Sequence, residues 1–244
     1  MEWRDEGFLL SMRRHGEATA IIEVFSSLHG RHAGAVRGGA SRRMAPVLQP
    51  GAQLDLAWRA RLEDQMGNFT VELTRARAAA VMDDRLGLLA LSSVCALCRF
   101  ALPERQAFPT LYADTVALLD RIGQPGWLNA YAHWELTLLE ETGFGLDLGQ
   151  CAVTGARARL AYVSPRTGRA VTAEGAGDYA ARLLALPAGL GEGGALDPAG
   201  LGAALQLSGF FLQHWLAEAI GRPLPEARAR LVSALAELRA RSAP

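Results

Sequence analysis

The hydrophobic pattern changes its period near residue 80, and this change constrains the fold more than any other feature of the chain. Leu54, Leu56 and Trp58 alternate with polar or small residues, which predicts a half-buried strand over 54–62. Phe69–Arg75 alternates in the same way after a Gly67–Asn68 turn. With three earlier segments, we expect five strands: Gly7–Arg13, Ala18–Ser26, Gly30–Arg37, 54–62 and Phe69–Arg75. Five short antiparallel strands predict a small oligonucleotide-binding (OB) type barrel at residues 1–80, with an SH3-like barrel as the alternative.

Beyond residue 80 the apolar residues recur at helical spacing, so the expected fold class is α+β and multidomain, with an all-α helical domain at 81–244. Asp83 and Asp84 cap the first helix, which Pro103 ends. Residues 145–177 are expected to be irregular, and a Gly- and Pro-rich loop is expected at 187–202. The other predicted helices are 109–122, 127–142, a short one at 179–186, 205–220 and 225–241.

All 25 basic residues of this 244-residue chain are arginine, and they balance 25 acidic residues. The absence of lysine excludes a Walker-type phosphate loop, a pyridoxal Schiff base and a kinase-type lysine. The neutral total hides opposed segments. Between positions 31 and 61 six arginines face one aspartate, whereas 81–150 holds nine acids and four arginines.

Cysteine content and the N-terminal residues bear on the compartment. Cys95, Cys98 and Cys151 are too few for a disulfide framework, which favours a reducing cytoplasm. The acidic first residues do not resemble an export signal, and we expect no membrane association. The long uncharged stretch 198–217 is interpreted as the approach to a buried helix.

The most informative local feature is the basic, glycine-rich run Gly34–Arg43. Glycines let a ligand approach the backbone closely, and guanidinium groups suit bidentate phosphate contacts. The run is therefore a candidate nucleic-acid site, although a solvated loop in an arginine-only protein is the alternative. The predicted DNA-binding residues are Arg13, Arg14, Arg31, Arg37, Arg42, Arg43, Arg59 and Arg61.

Aromatic, cysteine and histidine residues are expected to be structural. Trp3, Phe8, Phe25, Trp58 and Phe69 mostly alternate inward and are predicted barrel core rather than base-stacking platforms. The pair Cys95 and Cys98 lies in an apolar helical run without a second pair, so we expect buried thiols and no metal. The motifs that mark catalytic sites are absent, so no catalytic residue and no cofactor is predicted. His15, His29 and His32 are interpreted as turn and strand-edge residues.

Three ordered motifs resemble one family. The run from Gly34 through Arg37, Arg42 and Arg43 to Leu48-Gln49-Pro50-Gly51 looks like the basic loop and Leu-Gln-Pro motif of the RecO recombination-mediator family. The opening strands, with Gly7-Phe-Leu-Leu and 17–25, are similar to the start of that family. The stretch 134–151, ending at Cys151, looks like the helix that leads into its zinc-finger-like segment. Together the motifs span residues 1–180.

The resemblance implies an OB-type DNA-binding domain at 1–80 and a helical domain at 81–244, with a degenerate zinc-finger-like segment at 145–177. It implies a non-enzymatic protein of DNA repair, cytoplasmic and nucleoid-associated, that binds single- and double-stranded DNA and anneals complementary strands. It also implies assisted loading of RecA onto DNA coated by single-stranded-DNA-binding protein, in concert with RecR. The C-terminal tail of the single-stranded-DNA-binding protein would dock in a helical pocket, for which Arg121 is a candidate.

Some members of that family hold zinc with four cysteines, whereas here Cys151 stands with Thr154, Val171 and Glu174 near the other positions. We therefore expect no metal. Two other functions stay open: an adaptor whose barrel binds a protein partner, and a hydrolase built on the barrel histidines.

Overall fold

The computed structural model describes residues 1–62, 65–190 and 193–242. The chain divides into two compact units, Met1–Gln124 with Pro225–Pro244, and Pro125–Leu224. The division predicted at residue 80 stays a prediction.

Five strands form a closed barrel in the order β1-β2-β3-β5-β4, which confirms the predicted OB-type barrel. All neighbours are antiparallel except β3 and β5. The strands are β1 (Glu2–His15), β2 (Thr19–Ser26), β3 (Gly30–Val36), β4 (Gln53–Arg59) and β5 (Asn68–Arg75).

The first strand begins five residues earlier than predicted because one of its buried positions is polar. Asp5 lies on the same side of β1 as Trp3, and this carboxylate breaks the apolar alternation. Its oxygens accept hydrogen bonds from the Ser26 hydroxyl, the Ser27 hydroxyl at 2.7 Å and the Leu28 amide at 2.8 Å. Burial raises the pKa of Asp5, but these donors outweigh it and lower the pKa. The carboxylate therefore fastens β1 to the β2–β3 turn.

The helices and remaining strands follow in chain order. Asp84 caps α2 by accepting from the Leu86 amide at 3.0 Å, as predicted for a helix start in this region. The elements are α1 (Arg77–Ala80), α2 (Arg85–Ala101), α3 (Pro109–Arg121), α4 (Trp127–Glu141), β6 (Leu160–Val163), β7 (Ala170–Thr172), α5 (Ala173–Ala176), β8 (Leu184–Ala185), α6 (Pro198–Phe211), α7 (Glu218–Ile220) and α8 (Glu226–Ser242).

In the first unit the barrel has an apolar interior and a second apolar layer outside it. Leu54, Trp58 and Ile22 fill the interior, and each is at most 2% exposed. Phe8 and Phe25 pack outside it against Tyr112 of α3, with ring centroids 5.5–6.0 Å apart. α2 packs against both β1 and α8.

The second unit contains a three-stranded sheet, β7-β6-β8, in addition to its helices. Pattern analysis missed this sheet because strands of two to four residues are too short to show an alternation. A 3₁₀ helix, Gly177–Arg182, and β8 replace the short helix expected at 179–186.

The helix α6 begins inside the predicted loop 187–202, since the Asp197 carboxylate accepts from the Gly200 amide at 2.6 Å and Pro198 occupies the first turn. A π-helical turn, Leu212–Ala217, joins α6 to α7.

Candidate nucleic-acid interface

A groove opens on the barrel beside the junction of β3 and β5. Among the described residues these two strands pair through a single parallel contact, Ala35 with Asn68. The adjoining groove, called the seam groove below, has a volume of about 690 Å³. Its polar lining consists of Glu2, Arg4, Arg37, Arg59, Asn68 and Thr70, and Met44, Trp58, Phe69 and Val71 are among its apolar lining.

Glycines set the shape of the seam groove. A Cβ on Gly34 would lie 2.4 Å from the ring of Phe69, so only glycine lets the ring lie this close to β3. Gly67 has a φ of +66°, and a Cβ there would lie 2.5 Å from Nε1 of Trp58. That nitrogen donates a hydrogen bond to the Met66 carbonyl at 2.9 Å. The two rings are thereby held under the groove.

Charge varies across the outer face of β1, β4 and β5 in successive rows. Residues directly opposite on neighbouring strands share a face, so each row presents its side chains together. The first two rows border the seam groove and carry two of its three arginines, Arg4 and Arg59, while the third presents three exposed carboxylates. The rows are Glu2–Arg59–Asn68, Arg4–Ala57–Thr70 and Glu6–Asp55–Glu72. Carboxylates repel a polyanion because both are negatively charged. The acidic row therefore marks one edge of the basic surface.

The basic loop, residues 37–52, is fixed to the barrel at both ends. A Cβ on Gly39 would lie 2.8 Å from the Cβ of Ala20, so the backbone presses on β2. Leu48 is 1% exposed and belongs to the barrel core. The Gly51 amide donates to the Leu9 carbonyl at 2.8 Å. The anchored backbone holds its arginines outward.

Three of the predicted arginines lie on this loop. Arg37, Arg42 and Arg43 are exposed, and none forms an ion pair within the described part of the chain. Arg37 also lines the seam groove. Exposed, unpaired guanidinium groups are available to phosphate.

Arg13 and Arg14 are exposed at the end of β1, on the hairpin beside the basic loop. The contact is direct, since the Ala40 amide donates to the Ala18 carbonyl at 3.2 Å. Arg61 is exposed just after β4, next to residues 63–64, which lie outside the described residues.

Arg59 lines the seam groove but has a partner. Its side chain is 76% exposed, and its Nη2 and Nε donate to one oxygen of Glu2 at 2.6 and 3.1 Å. The hydrogen bond lowers the pKa of Glu2 and raises that of Arg59.

Arg31 is the predicted residue that lies apart from the free arginines. Its guanidinium binds Glu23 at 2.8 Å and the Leu102 carbonyl at 2.8 Å, and its side chain is only 18% exposed. It therefore tethers the end of α2 to the barrel, and its DNA-binding role stays a prediction.

Arg4 is the groove residue that the sequence analysis missed. It is exposed, lines the seam groove and forms no ion pair with a described residue. The omission follows from starting β1 at Gly7, since an alternation counted from Glu2 places Arg4 on the solvent face.

The barrel aromatics are largely buried, as predicted, although Phe8 and Phe25 lie in the layer between the barrel and α3 and not in the barrel interior. Phe8, Phe25, Trp58 and Phe69 are at most 3% exposed, while Trp3 is half-buried. Trp3 stacks on His29 at 4.0 Å and meets Trp58 and Phe69 at 5.7 Å. Base stacking therefore has little exposed ring surface here, and backbone phosphate is the chemical group that this surface suits.

His32 lies inside the barrel among those rings. It is 5% exposed, and neither ring nitrogen has a hydrogen-bond partner among the described residues. Burial, with positive charge from Arg105 and His29, lowers its pKa to about 4. The ring is neutral at physiological pH and behaves as core, although the sequence analysis placed it at a strand edge.

The three cysteines are buried and form no disulfide. Burial raises the pKa of Cys95 to about 12 and also raises the pKa of Cys98 well above that of an ordinary thiol. These two residues are packed in α2, as predicted.

The residues around Cys151 do not fit a zinc ion. Its sulfur accepts from the Thr154 amide at 3.4 Å and the Thr172 amide at 3.3 Å, and a Cβ on Gly175 would lie 3.1 Å away. The groups in contact with the sulfur are thus Thr154, Thr172 and Gly175, and Val171 packs in the same buried cluster as Cys151. Burial raises the pKa of the thiol, but these donors outweigh it and lower the pKa to about 6. One thiol without further sulfur or imidazole ligands is no structural zinc site, and hydrogen bonds hold the segment.

The described residues contain no group of three or more histidine, cysteine or acidic side chains placed to hold a metal ion. No helix within 1–62, 65–190 and 193–242 has the length and apolar character needed to cross a bilayer.

The fold and the site define a class: proteins with an OB-type barrel that presents a basic groove and loop, followed by helices. Comparison with known families narrows the class. Residues 1–77 match the family model "Recombination protein O N terminal", and residues 82–226 match "Recombination protein O C terminal".

Curated relatives agree along nearly the whole chain. A "DNA repair protein RecO" of Cereibacter sphaeroides (strain ATCC 17029 / ATH 2.4.9) is 58% identical over 237 residues, covering 97% of this chain and 99% of its own. That of Dinoroseobacter shibae is 57% identical over 241 residues, covering 98% and 100%. That of Roseobacter denitrificans is 59% identical over 235 residues, covering 95% and 97%. The chain belongs to the RecO family of DNA repair proteins.

Proposed function

We propose that the chain binds single- and double-stranded DNA through the seam groove and the basic loop, and anneals complementary strands. The observation that carries the proposal is the set of exposed, unpaired guanidinium groups on adjoining parts of one barrel: Arg4, Arg37, Arg42 and Arg43, with Arg13 and Arg14 on the neighbouring hairpin. Such a surface attracts phosphate and releases condensed counterions when it binds.

The physical reason for annealing is charge neutralisation. Two complementary strands repel each other, and a protein that cancels phosphate charge lowers the barrier to their approach. The chemistry needs no catalytic residue, so we propose a non-enzymatic role. Weak base contact suits this role, because the paired strands must form with any sequence and then leave.

We further propose that the protein helps RecA to load onto DNA coated by single-stranded-DNA-binding protein, together with RecR, on the chromosome in the cytoplasm. The family membership supports these partners. Arg121, exposed at the end of α3, is the candidate contact for the acidic tail of the single-stranded-DNA-binding protein. Arg121→Glu is expected to abolish binding of a labelled tail peptide while DNA binding is retained. Unchanged peptide binding would remove Arg121 from the contact.

The test of DNA binding is fluorescence anisotropy of a labelled oligonucleotide over a series of salt concentrations. Wild-type affinity should fall steeply as salt rises. The triple variant Arg37→Ala, Arg42→Ala, Arg43→Ala should bind more weakly and flatten the logarithmic salt slope by about 2 for single strands.

The matched control removes three exposed arginines outside the barrel, Arg157, Arg166 and Arg241. It should keep most of the salt slope. Equal losses in the two triple variants would move the interface away from the basic loop. A wild-type protein that neither binds nor anneals oligonucleotides without ATP would contradict the proposed function and favour the adaptor.

A further inference from the structure

One side chain in the seam groove opposes the others in charge. Of the described residues that line the groove, Glu2 alone carries a carboxylate. One of its oxygens receives both hydrogen bonds from Arg59, at 2.6 and 3.1 Å. Arg4 lies two residues along the same strand and forms no ion pair with a described residue. The groove therefore holds one neutralised arginine beside free ones.

The pair is not needed to hold the barrel together. Glu2 and Arg59 are already opposite each other in the β1–β4 ladder, and the backbone pairing continues beyond them, with the amino group of Met1 donating to the Ala60 carbonyl at 2.7 Å. Both side chains are about half exposed or more, at 49% and 76%, and exposed ion pairs contribute little to stability.

The geometry of the pair matches what a phosphate would offer. Guanidinium groups bind carboxylate and phosphate oxygens through the same kinds of N–H donor, so a phosphate bound at the Nε–Nη2 edge and the Glu2 carboxylate require the same atoms of Arg59. The two cannot both hold Nε and Nη2. A phosphate that takes this edge of Arg59 must displace Glu2, and one that binds through Nη1 instead meets a guanidinium whose charge Glu2 already cancels.

We propose that Glu2 is an internal competitor for DNA phosphate at Arg59, which weakens binding in the seam groove and speeds release. The inference rests on the proposed DNA binding and deepens it. In the free protein the carboxylate orients Arg59 over the groove and cancels its charge. In the complex a phosphate replaces the carboxylate, so the net gain from this arginine is smaller than from Arg4 or Arg37. An annealing protein benefits, because strands held too tightly would not leave once paired.

The test is Glu2→Gln, measured by anisotropy with a labelled single-stranded oligonucleotide over a salt series. Freeing one guanidinium should steepen the logarithmic salt slope by about 0.7 and raise affinity about fivefold at roughly 0.1 M monovalent salt. Equal or weaker binding by Glu2→Gln would overturn the proposal, since it would mean that Glu2 is neutral or helps Arg59 to bind.

Two controls separate competition from a general charge effect. Glu72→Gln removes a carboxylate from the acidic row of the same sheet face and should leave the salt slope unchanged. In an Arg59→Gln background, Glu2→Gln should lose most of its gain. If the gain persists there, or if Glu72→Gln reproduces it, competition at Arg59 is refuted.

The outcome for the wild-type protein keeps the two proposals distinguishable. If the wild type binds the oligonucleotide and Glu2→Gln brings no gain, the competitor role fails while DNA binding stands. If neither protein binds even at low salt, the proposed function itself fails.

Discussion

The buried imidazole of His32 should make the stability of the protein depend on pH. The ring lies among Trp3, Trp58 and Phe69, and the charged or titratable groups that act on it are Arg105 and His29. No described residue accepts or donates a hydrogen bond at either ring nitrogen. A proton added to this ring would create a charge without solvent or a counterion.

The direction and size of the change in unfolding free energy follow from the linkage between protonation of His32 and folding. The pKa of His32 falls from 6.5 to about 4 on folding, so the unfolded chain binds this proton more readily than the folded one. The stability that the neutral ring allows is complete above pH 6.5 and is lost as the pH falls towards 4. About 2 kcal/mol should be lost by about pH 5, and about 3 kcal/mol once the pH is below 4.

The assay is urea denaturation at neutral pH and at about pH 5, followed by tryptophan fluorescence, since Trp3 and Trp58 contact the ring. His32→Leu replaces the unpaired ring by an apolar side chain. We expect this variant to be at least as stable as wild type near neutrality and to lose about 2 kcal/mol less on acidification.

The matched control is His15→Leu, which removes an exposed histidine from the end of β1. Equal losses of unfolding free energy by wild type and His32→Leu between the two pH values would contradict this role of His32. Protonation of the His32 ring near its ordinary pKa in an NMR titration would contradict it as well.

Three further substitutions test other parts of the structure. Arg77→Met should cost roughly 2–4 kcal/mol in urea denaturation, because the buried Gly51 carbonyl and Gln53 lose their donor while Asp120 keeps Arg75; a cost below about 1 kcal/mol would contradict this. Gly34→Ala should cost about 1–3 kcal/mol, because its Cβ would overlap the Phe69 ring; an unchanged melting temperature would refute the close approach. Cys151→Ala should cost about 1–3 kcal/mol, because the buried Thr172 amide and the partly buried Thr154 amide lose their acceptor, and a zinc chelator should leave wild-type melting unchanged; a chelator-induced drop would restore a metal to this segment.

Pattern analysis predicted the parts of the fold that repeat. The strand 54–59 alternates cleanly, so β4 was found, and Asp84 marked the start of α2. The start of β1 was lost because Asp5 faces inward, where its partners come from a turn more than twenty residues away. A tertiary partner of this kind leaves no local signal.

The sequence points to some arginines of the candidate site but does not show which of them are free of an acidic partner. Arginines clustered in the sequence, such as Arg42 and Arg43, mark an exposed loop. Nothing in the sequence distinguishes Arg31 and Arg59 from these arginines, yet Arg31 is paired with Glu23 and Arg59 with Glu2. Strand register decides such pairings, and composition does not contain it.

The barrel is closed between β3 and β5 by one backbone pair among the described residues, Ala35 with Asn68, so this is its weakest junction. Residues that line the seam groove come from both sides of this junction, with Arg37 just after β3 and Thr70 on β5. A DNA strand bound across both sides, as proposed, binds the closed barrel and not a barrel opened between β3 and β5. Part of its binding free energy therefore stabilises the closed barrel. On the proposed mode of binding, the barrel is therefore expected to be more rigid with DNA bound than without it.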